Sequence, residues 1–139
     1  MFVSSNQQTG PLFLGRSIQL EPDNTAAINN RGVAFRELNQ PLEALKAFNE
    51  AIKLNPNDAE FYNNQGTVLQ MLGRSEEAVE AFDTALGLRI KYYEALTNRG
   101  ATLVDLGRVD EALIEFDKAL TIKPDFPEAH YNRANALAA

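Results

Sequence analysis

The chain has 139 residues, 45% hydrophobic residues and a net charge of −6, and it contains no cysteine. The negative charge argues against binding to nucleic acid or an anionic membrane, because phosphate contacts need clustered Lys and Arg. The lack of cysteine excludes a disulfide frame, a thiolate nucleophile and a zinc–thiolate site.

The first ten residues, MFVSSNQQTG, have neither a basic region nor an apolar core, so they do not form a secretory signal. No apolar run approaches the roughly 20 residues that a membrane span requires. We therefore expect a cytoplasmic protein of ordinary packed composition, without contact to membranes. We also expect the chain to be part of a longer protein.

A strict repeat of 34 residues organises the chain. The tetrapeptides NNRG, NNQG, TNRG and YNRA recur at this interval, beginning at residues 29, 63, 97 and 131. Three further columns keep the same step: Ala44, Ala78 and Ala112; Phe48, Phe82 and Phe116; Ala51, Ala85 and Ala119. A fixed period in this range indicates one supersecondary unit copied in tandem.

Each unit is predicted to be a pair of helices, because apolar residues recur at spacings of three and four. Residues 1–16 are an N-terminal extension with the remnant of a preceding second helix. Residues 17–139 form one repeat domain, with repeats 25–58, 59–92 and 93–126 and a partial repeat 127–139. The helices are expected near 12–20 (the remnant), 25–38, 42–54, 59–72, 75–88, 93–106, 109–121 and 127–138. The last of these is a first helix without its second.

Two sets of glycines have different expected roles. Gly73 and Gly107 stand where a first helix ends, as a left-handed cap requires. Gly32, Gly66 and Gly100 lie inside helices, where Gly costs about 0.8–1 kcal/mol relative to Ala. Their recurrence at one phase predicts that two helix backbones approach closely there.

The columns Asn-x-Gly, Leu-Gly-Arg, Glu-Ala, Phe, Ala and Leu-x-Pro at this interval resemble the tetratricopeptide repeat, most clearly in residues 69–88 and 103–124. The resemblance covers residues 17–139. It implies an all-α fold in which antiparallel helix pairs stack into a right-handed superhelical solenoid. The first helices would line a concave groove, where such proteins commonly hold peptides or partner domains.

The chain departs from the family pattern in two places. The family's proline is present at Pro56 and Pro124, but Ile90 takes its position in the second unit. We weigh an ordinary degenerate linker against a joint that exposes Ile90, Tyr92 and Tyr93. The second departure is a polar column in place of a frequent Leu, made up of Arg31, Gln65, Arg99 and Arg133. Asp83 and Asp117 are the predicted structural partners for this column.

Few residues are candidates for catalysis or metal binding. His130 is the only histidine and shares a column with Tyr62, so we expect a packed or partly exposed ring rather than a base or a ligand. Without a second His or a Cys, no transition-metal site is predicted. Carboxylate pairs such as Glu76 and Glu77 stand at helix N-termini, where the helix dipole stabilises them. We therefore predict no enzymatic activity, no metal and no cofactor.

The column Asn30, Asn64, Asn98 and Asn132, called the asparagine ladder below, is the main candidate for binding. An amide offers donors and an acceptor, so the ladder can pair with the backbone of an extended peptide. Alternatively, the amides tie neighbouring units together. On the first interpretation, replacing Asn64 and Asn98 by Ala weakens binding without changing the melting temperature. The predicted partner-binding set also includes Asn29, Asn63, Glu60, Glu94 and Thr67.

Acidic side chains prevail among these positions, so a neutral or basic segment is the favoured partner. One subclass of the family grips the C-terminal carboxylate of heat-shock chaperones with Lys, Asn and Arg. Its columns fall here on Asn29, Val33, Asn64, Glu94 and Asn98, where only Asn64 agrees and Glu94 has the wrong charge. The comparison with this subclass therefore argues against binding of a chaperone C-terminal carboxylate.

Three functions remain open from the sequence. The first is a scaffold that binds a protein or peptide. The second is the substrate-recruiting arm of a larger enzyme, because the asparagine ladder resembles that of O-linked N-acetylglucosamine transferases. The third is self-association through the incomplete terminal units, in which residues 12–20 and 127–139 each expose apolar surface.

Overall fold

The computed structural model describes residues 22–139, and side chains from residue 24 onward, as seven α-helices without a strand. The helices are α1 (Pro22–Glu37), α2 (Pro41–Leu54), α3 (Ala59–Met71), α4 (Ser75–Leu88), α5 (Tyr93–Asp105), α6 (Val109–Ile122) and α7 (Pro127–Ala138). All seven predicted helices are present, and their ends agree closely with the prediction. The predicted remnant at 12–20 lies outside the described residues.

The largest difference from the prediction is the start of α1, which begins at Pro22 instead of residue 25. Proline suits the first turn of a helix, because the missing N–H would have no partner within the helix there. The same reason explains why α2 and α7 begin at Pro41 and Pro127.

A residue in the left-handed backbone conformation ends the first helix of each complete unit. Gly73 and Gly107 both have a φ of 77°, which confirms the predicted caps. The next residue closes each cap, since Arg74 N donates to Leu69 O at 2.9 Å and Arg108 N donates to Leu103 O at 2.8 Å. In the first unit Asn39 takes this position with a φ of 61°. Asparagine is among the few other residues that tolerate the left-handed region.

The helices stack as an open row. Helices α1 and α2, α3 and α4, and α5 and α6 pack as pairs, and each second helix also packs on the first helix of the next unit. The short turns make neighbouring helices antiparallel. The first helices α1, α3, α5 and α7 touch their equivalents in the next unit. Within the described residues, the second helices α2, α4 and α6 do not touch one another.

The core of each unit is a phenyl ring held against a glycine. Phe48, Phe82 and Phe116 are fully buried, as are the alanines of the two recurring columns. A Cβ added at Gly66 would lie 2.6 Å from Phe82 Cε1, and the corresponding distance is 2.5 Å at both Gly32 and Gly100. The prediction that something approaches these glycines closely is therefore right. The predicted neighbour, a second helix backbone, was wrong, because the nearest atoms belong to a phenyl ring. The glycine backbone meets the ring of the second helix, because a buried aromatic side chain fills the space between the two backbones.

We expect Gly66→Ala to destabilise the protein. The new methyl group would overlap a ring that has no free space to move into, which should lower the free energy of unfolding by about 1–3 kcal/mol. Gly87→Ala is the matched control, since Gly87 lies near the end of α4 with no atom within 4 Å of an added Cβ. It should raise stability by up to about 1 kcal/mol through helix propensity alone. Urea denaturation followed by far-UV circular dichroism measures both.

The contact itself is tested by combining substitutions. Phe82→Ala alone should cost about 3–5 kcal/mol, because it opens a cavity in the central unit. In the double variant Gly66→Ala with Phe82→Ala, the added methyl group occupies part of that cavity. The loss of stability in the double variant should therefore be smaller than the sum of the losses in the two single variants. Strict additivity would show that Gly66 is not limited by the ring.

Candidate functional site

The inner face of the stack is formed by the first helices. Because α1, α3, α5 and α7 touch in succession while the second helices stay apart, the row curves with the first helices on its concave side. We call this surface the inner groove. Its exposed or half-buried residues on the two central first helices are Glu60, Thr67 and Met71 of α3 and Glu94, Asn98 and Asp105 of α5.

The asparagine ladder forms hydrogen bonds between repeats. Asn64 Nδ2 donates to Asn29 Oδ1 at 2.9 Å, and one unit later Asn98 Nδ2 donates to Asn63 Oδ1 at 3.0 Å. Asn29, Asn63 and Asn64 are all buried, each with an exposed fraction below a tenth. The ladder thus ties adjacent first helices together, which is the scaffold alternative that the sequence left open.

The predicted binding residues therefore divide into two groups. Asn29, Asn63 and Asn64 lie inside the interface between repeats, where their side chains do not present a free surface. The others are accessible in the inner groove, with Asn30, Glu60 and Glu94 exposed and Thr67, Asn98 and Asn132 half-buried. The difference from the expected row of free amides has a physical cause, because a buried amide must be hydrogen-bonded and the neighbouring unit supplies the nearest partner. A binding role for any of these residues stays a prediction.

The doublet Asn-Asn at 29–30 and 63–64 is the sequence signal for this bonding, since each ladder amide meets the first Asn of the preceding doublet. The third copy breaks the pattern with Thr97-Asn98. Thr97 is fully buried and its hydroxyl donates to Tyr93 O of its own helix at 2.9 Å. Asn29 and Asn63 accept the hydrogen bonds of Asn64 and Asn98. The corresponding position for Asn132 is Thr97, which is a threonine and not an asparagine.

An acidic stripe runs along the inner groove. Glu60, Glu94 and Glu128 occupy one column on α3, α5 and α7, and all three are exposed. None of them forms an ion pair with another residue in the described part of the chain. Asp105 adds to the stripe and accepts a hydrogen bond from Gln70 Nε2 at 3.1 Å. The stripe gives the groove a negative potential that would attract cationic groups.

The polar column opposite the groove is structural. Arg99 Nε donates to Asp83 Oδ1 at 2.7 Å and Arg133 Nε donates to Asp117 Oδ1 at 2.8 Å, which confirms both predicted partners. Gln65 Nε2 makes the equivalent bond to Asn49 Oδ1 at 2.9 Å. In these three cases a first helix is joined to the second helix of the preceding unit, whereas Arg31 pairs with Glu50 of its own unit at 3.0 Å. The three contacts between units fix how successive units are rotated on one another.

The joint without a proline exposes Ile90 and buries Tyr92. Helix α4 still ends at Leu88, and Ile90 is 80% exposed. Tyr92, in contrast, is only 5% exposed, so the alternative of a joint that exposes this residue does not hold. The ring fits against Ala59, Ala85 and Ala95, whose small side chains leave room for it. Burial raises the pKa of the Tyr92 hydroxyl, and the Arg89 guanidinium, 4.1 Å from the ring centroid, partly offsets this.

His130 has a structural contact. The ring is exposed, and its Nε2 lies 2.8 Å from Pro124 O. Tyr62, in the same column, donates its hydroxyl to Pro56 O at the same distance. In residues 24–139 no group of three His, Asp or Glu side chains could hold a metal ion. The helices of this part of the chain also include none with the length and apolarity to cross a membrane.

Comparison with protein families identifies the repeat. A family model described as tetratricopeptide repeat matches residues 29–93, and a second, described as TPR repeat, matches residues 100–139. The chain belongs to the tetratricopeptide repeat family. A comparison with curated proteins found no significant match.

Solved structures of tetratricopeptide repeat domains share the fold. The Arabidopsis OM64 TPR domain is 25% identical and has a TM-score of 0.78, over 82% of this chain and 94% of that one. YrrB, described as a TPR protein with an unusual peptide-binding site, is 28% identical with a TM-score of 0.75, over 79% of this chain and 57% of that one. The first TPR of Spaghetti (RPAP3), bound to the HSP90 peptide SRMEEVD, is 20% identical with a TM-score of 0.80, over 88% of this chain and 100% of that one.

These similarities confirm the predicted all-α solenoid of stacked helix pairs. Tetratricopeptide repeat domains are typically non-catalytic interaction modules, so a protein-binding scaffold is supported at this level.

The buried bonds of the ladder lead to a prediction about stability. Asn64→Ala removes a donor and leaves Asn29 Oδ1 buried without a partner, so it should lower the free energy of unfolding by about 1–3 kcal/mol. This replaces the expectation of an unchanged melting temperature. Asn30→Ala, in the same column but exposed, should stay within about 0.5 kcal/mol of the parent.

Thermal and urea denaturation of the two variants measure this difference. Asn29→Ala combined with Asn64→Ala removes both partners and should cost less than the sum of the two single substitutions. Equal stability of Asn64→Ala and Asn30→Ala would contradict a structural role for the buried amide.

Proposed function

We propose that this tetratricopeptide domain is a non-catalytic scaffold whose inner groove binds an extended, neutral or basic segment of a partner protein. The observation that carries the proposal is the acidic stripe of Glu60, Glu94 and Glu128, which is exposed and has no ion pair in the described part of the chain. Carboxylates left without internal partners are available to a cationic ligand.

The remaining accessible groove residues suit the backbone of such a segment. Asn98 Nδ2 is used in the scaffold, but its Oδ1 has no partner among the described residues and can accept from a peptide N–H. Asn30 and Asn132 are accessible amides of the same column, and Thr67 lies one turn further along α3. Backbone contacts of this kind hold a peptide with little dependence on its sequence, while the acidic stripe selects its charge.

Peptide binding by similar folds supports the general function, although the charge preference differs. The first TPR of Spaghetti (RPAP3) is bound to the HSP90 peptide SRMEEVD, and the second TPR domain of human RPAP3 to the HSP70 peptide SGPTIEEVD. Both peptides carry several carboxylates near the C-terminus. In this chain Glu60 and Glu94 would repel such a segment, so we expect partners of the opposite charge.

On this proposal the chain has no catalytic activity of its own and acts in the cytoplasm. The same surface would serve an adaptor or the substrate-recruiting arm of a larger enzyme, such as an O-linked glycosyltransferase. The two differ in what is joined to the domain rather than in the groove itself.

Neutralising the acidic stripe tests the charge preference. The probe is a short fluorescein-labelled peptide of alternating Lys, Ser and Gly, measured by fluorescence anisotropy at low salt. The double variant Glu60→Gln and Glu94→Gln keeps the shape of both side chains and should weaken binding about two- to tenfold, as expected for two exposed ion pairs.

Two controls define this experiment. Glu80→Gln changes an exposed carboxylate on the second helix α4 and should leave binding unchanged. A probe with Gln in place of Lys should bind the parent and the double variant equally. If Glu80→Gln weakens binding as much as the double variant, only net charge matters and the inner groove is not the site.

Self-association is a second candidate function, favoured by α7. Tyr131 and Leu137 on this helix are 68% and 59% exposed, because no further helix packs against them in the described structure. Residues 12–20, the other predicted contact, lie outside the described residues. Such apolar surface at the end of a stack can bind an equivalent unit.

We expect Leu137→Glu to reduce this association. In sedimentation velocity the parent should show a concentration-dependent rise in sedimentation coefficient, and the variant should not. Ile114→Glu is the control, since Ile114 is 55% exposed but lies on α6. A parent that is monomeric at every concentration would exclude this function.

A further inference from the structure

A cleft lies on the outer side of the stack, away from the inner groove. It opens between α4 and α6, which do not touch each other, and the segment that joins α4 to α5 closes one end. Its volume is about 660 Å³. We call it the outer cleft. Its walls and floor include Leu86, Ile90, Leu96, Arg99, Glu115 and Lys118.

One unit earlier, the residues that correspond to part of this lining border a smaller cavity, which does not extend to α2. There Tyr62, Gln65, Ala81 and Thr84 take the positions of Leu96, Arg99, Glu115 and Lys118, and the cavity that they line measures about 230 Å³. The Tyr62 hydroxyl, beside this cavity, donates to Pro56 O at 2.8 Å. His130 reaches Pro124 O in the same way in the last unit.

Two departures from the repeat coincide at the outer cleft. Leu96 stands in the column of Ile28, Tyr62 and His130; unlike Tyr62 and His130, it carries no donor and is shorter. Ile90 stands in the column of Pro56 and Pro124, whose backbone carbonyl oxygens are the partners in those bonds. The polar side chain that Tyr62 and His130 supply at their joints is therefore missing here, and Leu96 cannot bond to the backbone carbonyl of residue 90. The result is an open cleft with Ile90 at its mouth, 80% exposed.

The floor of the outer cleft is charged but internally balanced. Arg99 lies between Asp83, at 2.7 Å, and Glu115, at 3.4 Å. Glu115 is only 6% exposed and also pairs with Lys118 at 3.3 Å. Its column holds alanine in the other two units, so a buried carboxylate is particular to this cleft. Burying a charge is costly unless it is paired, and the two cations supply that pairing.

The mouth of the cleft carries an excess of positive charge. Lys91 lines it and forms no ion pair with any residue in the described part of the chain, and Lys118 is more than half exposed. Three cations and two carboxylates line the cleft, in a chain whose net charge is −6. The apolar walls and the cationic mouth favour a ligand that combines an apolar group with a carboxylate.

We propose that the outer cleft binds one large apolar side chain of a partner protein, next to an acidic residue that pairs with Lys91. The apolar side chain packs between Ile90, Leu96 and Ile122, while the carboxylate stays at the solvated mouth. The inner groove selects basic segments and the outer cleft selects apolar–acidic ones. One domain can therefore hold two partners of different chemistry on opposite faces, independently of whether the inner groove acts as proposed above.

Nuclear magnetic resonance with an isotope-labelled chain tests this site. The probe is an acetylated, amidated peptide Gly-Ser-Phe-Asp-Glu-Ser-Gly, and two matched peptides replace its Phe by Ala or its acidic pair by Lys-Lys. We expect saturable shifts at Ile90, Lys91 and Ile122 with the first peptide only. Thr67 in the inner groove should not respond. Saturable shifts in the inner groove instead, or no saturable shift, would overturn the proposal.

Two substitutions locate the binding energy. Leu96→Tyr should fill part of the cleft with the side chain that Tyr62 supplies one unit earlier, and should weaken binding about tenfold or more. Lys91→Glu reverses the charge at the mouth and should weaken binding of the acidic probe while strengthening that of the Lys-Lys peptide. Ile90→Pro, which places the residue of the other units at the mouth, serves if Leu96→Tyr fails to fold. Parent-like affinity in these variants would overturn the proposal.

Tyr62→Leu is the matched control. It removes the tyrosine side chain one unit earlier, where Asn57 and Thr84 stand in place of Lys91 and Lys118. The variant should bind the acidic probe no better than the parent does, because a cleft without lysines lacks the charge preference. Concentration-dependent shifts at Ile90 without any peptide would show that a second copy of the chain fills the cleft, which would also overturn the proposal.

Discussion

The contact between a glycine of the first helix and a phenyl ring of the second determines the geometry of this protein. At Gly66 and Phe82 the ring occupies the place where a Cβ would lie, so the two helices approach as closely as the ring edge permits. The same contact recurs at Gly32 with Phe48 and at Gly100 with Phe116. Because every unit has the same internal spacing, successive units can stack with one repeated interface. A regular solenoid requires that identity.

Polar contacts then join one unit to the next on both faces of the stack. On the inner side buried amides are bonded across the interface, as in Asn64 with Asn29. On the outer side a first helix is tied to the preceding second helix, as in Arg99 with Asp83. Hydrogen bonds are directional, so these contacts define the rotation between units, which apolar packing alone leaves loosely specified. Apolar burial supplies most of the stability, and the polar contacts supply the register.

The positions that break the repeat give the surface its particular character. The scaffold uses most of the regular columns, since the repeated glycines inside the helices, the phenylalanines and the alanines are buried and the ladder residues Asn64 and Asn98 bond across the interface between units. The irregular positions Ile90, Leu96, Thr97 and Glu115 all lie around the joint between the second and third units. Departures that occur together at one joint change a surface locally while the surrounding packing stays the same. A repeat protein can in this way acquire a distinct site without altering its fold.

The sequence by itself determined the elements, their order and the family. Helix ends follow from local chemistry, because a proline in the first turn or a glycine with a φ of 77° acts through its own backbone. The period of 34 residues identifies the unit without any knowledge of how units pack. The ionic partners Asp83 and Asp117 were also predictable, since a long cation in a half-buried column needs an acidic neighbour.

Only the tertiary structure decided which way the side chains point between units. The sequence could not show whether Asn64 meets a ligand or Asn29, because the answer depends on the distance between helices of different units. For the same reason it predicted a second backbone beside Gly66, where the ring of Phe82 lies, and it did not reveal that Tyr92 fits among alanines from three different helices. These outcomes depend on atoms far apart in the chain, and a local pattern carries no information about distances that stacking alone fixes.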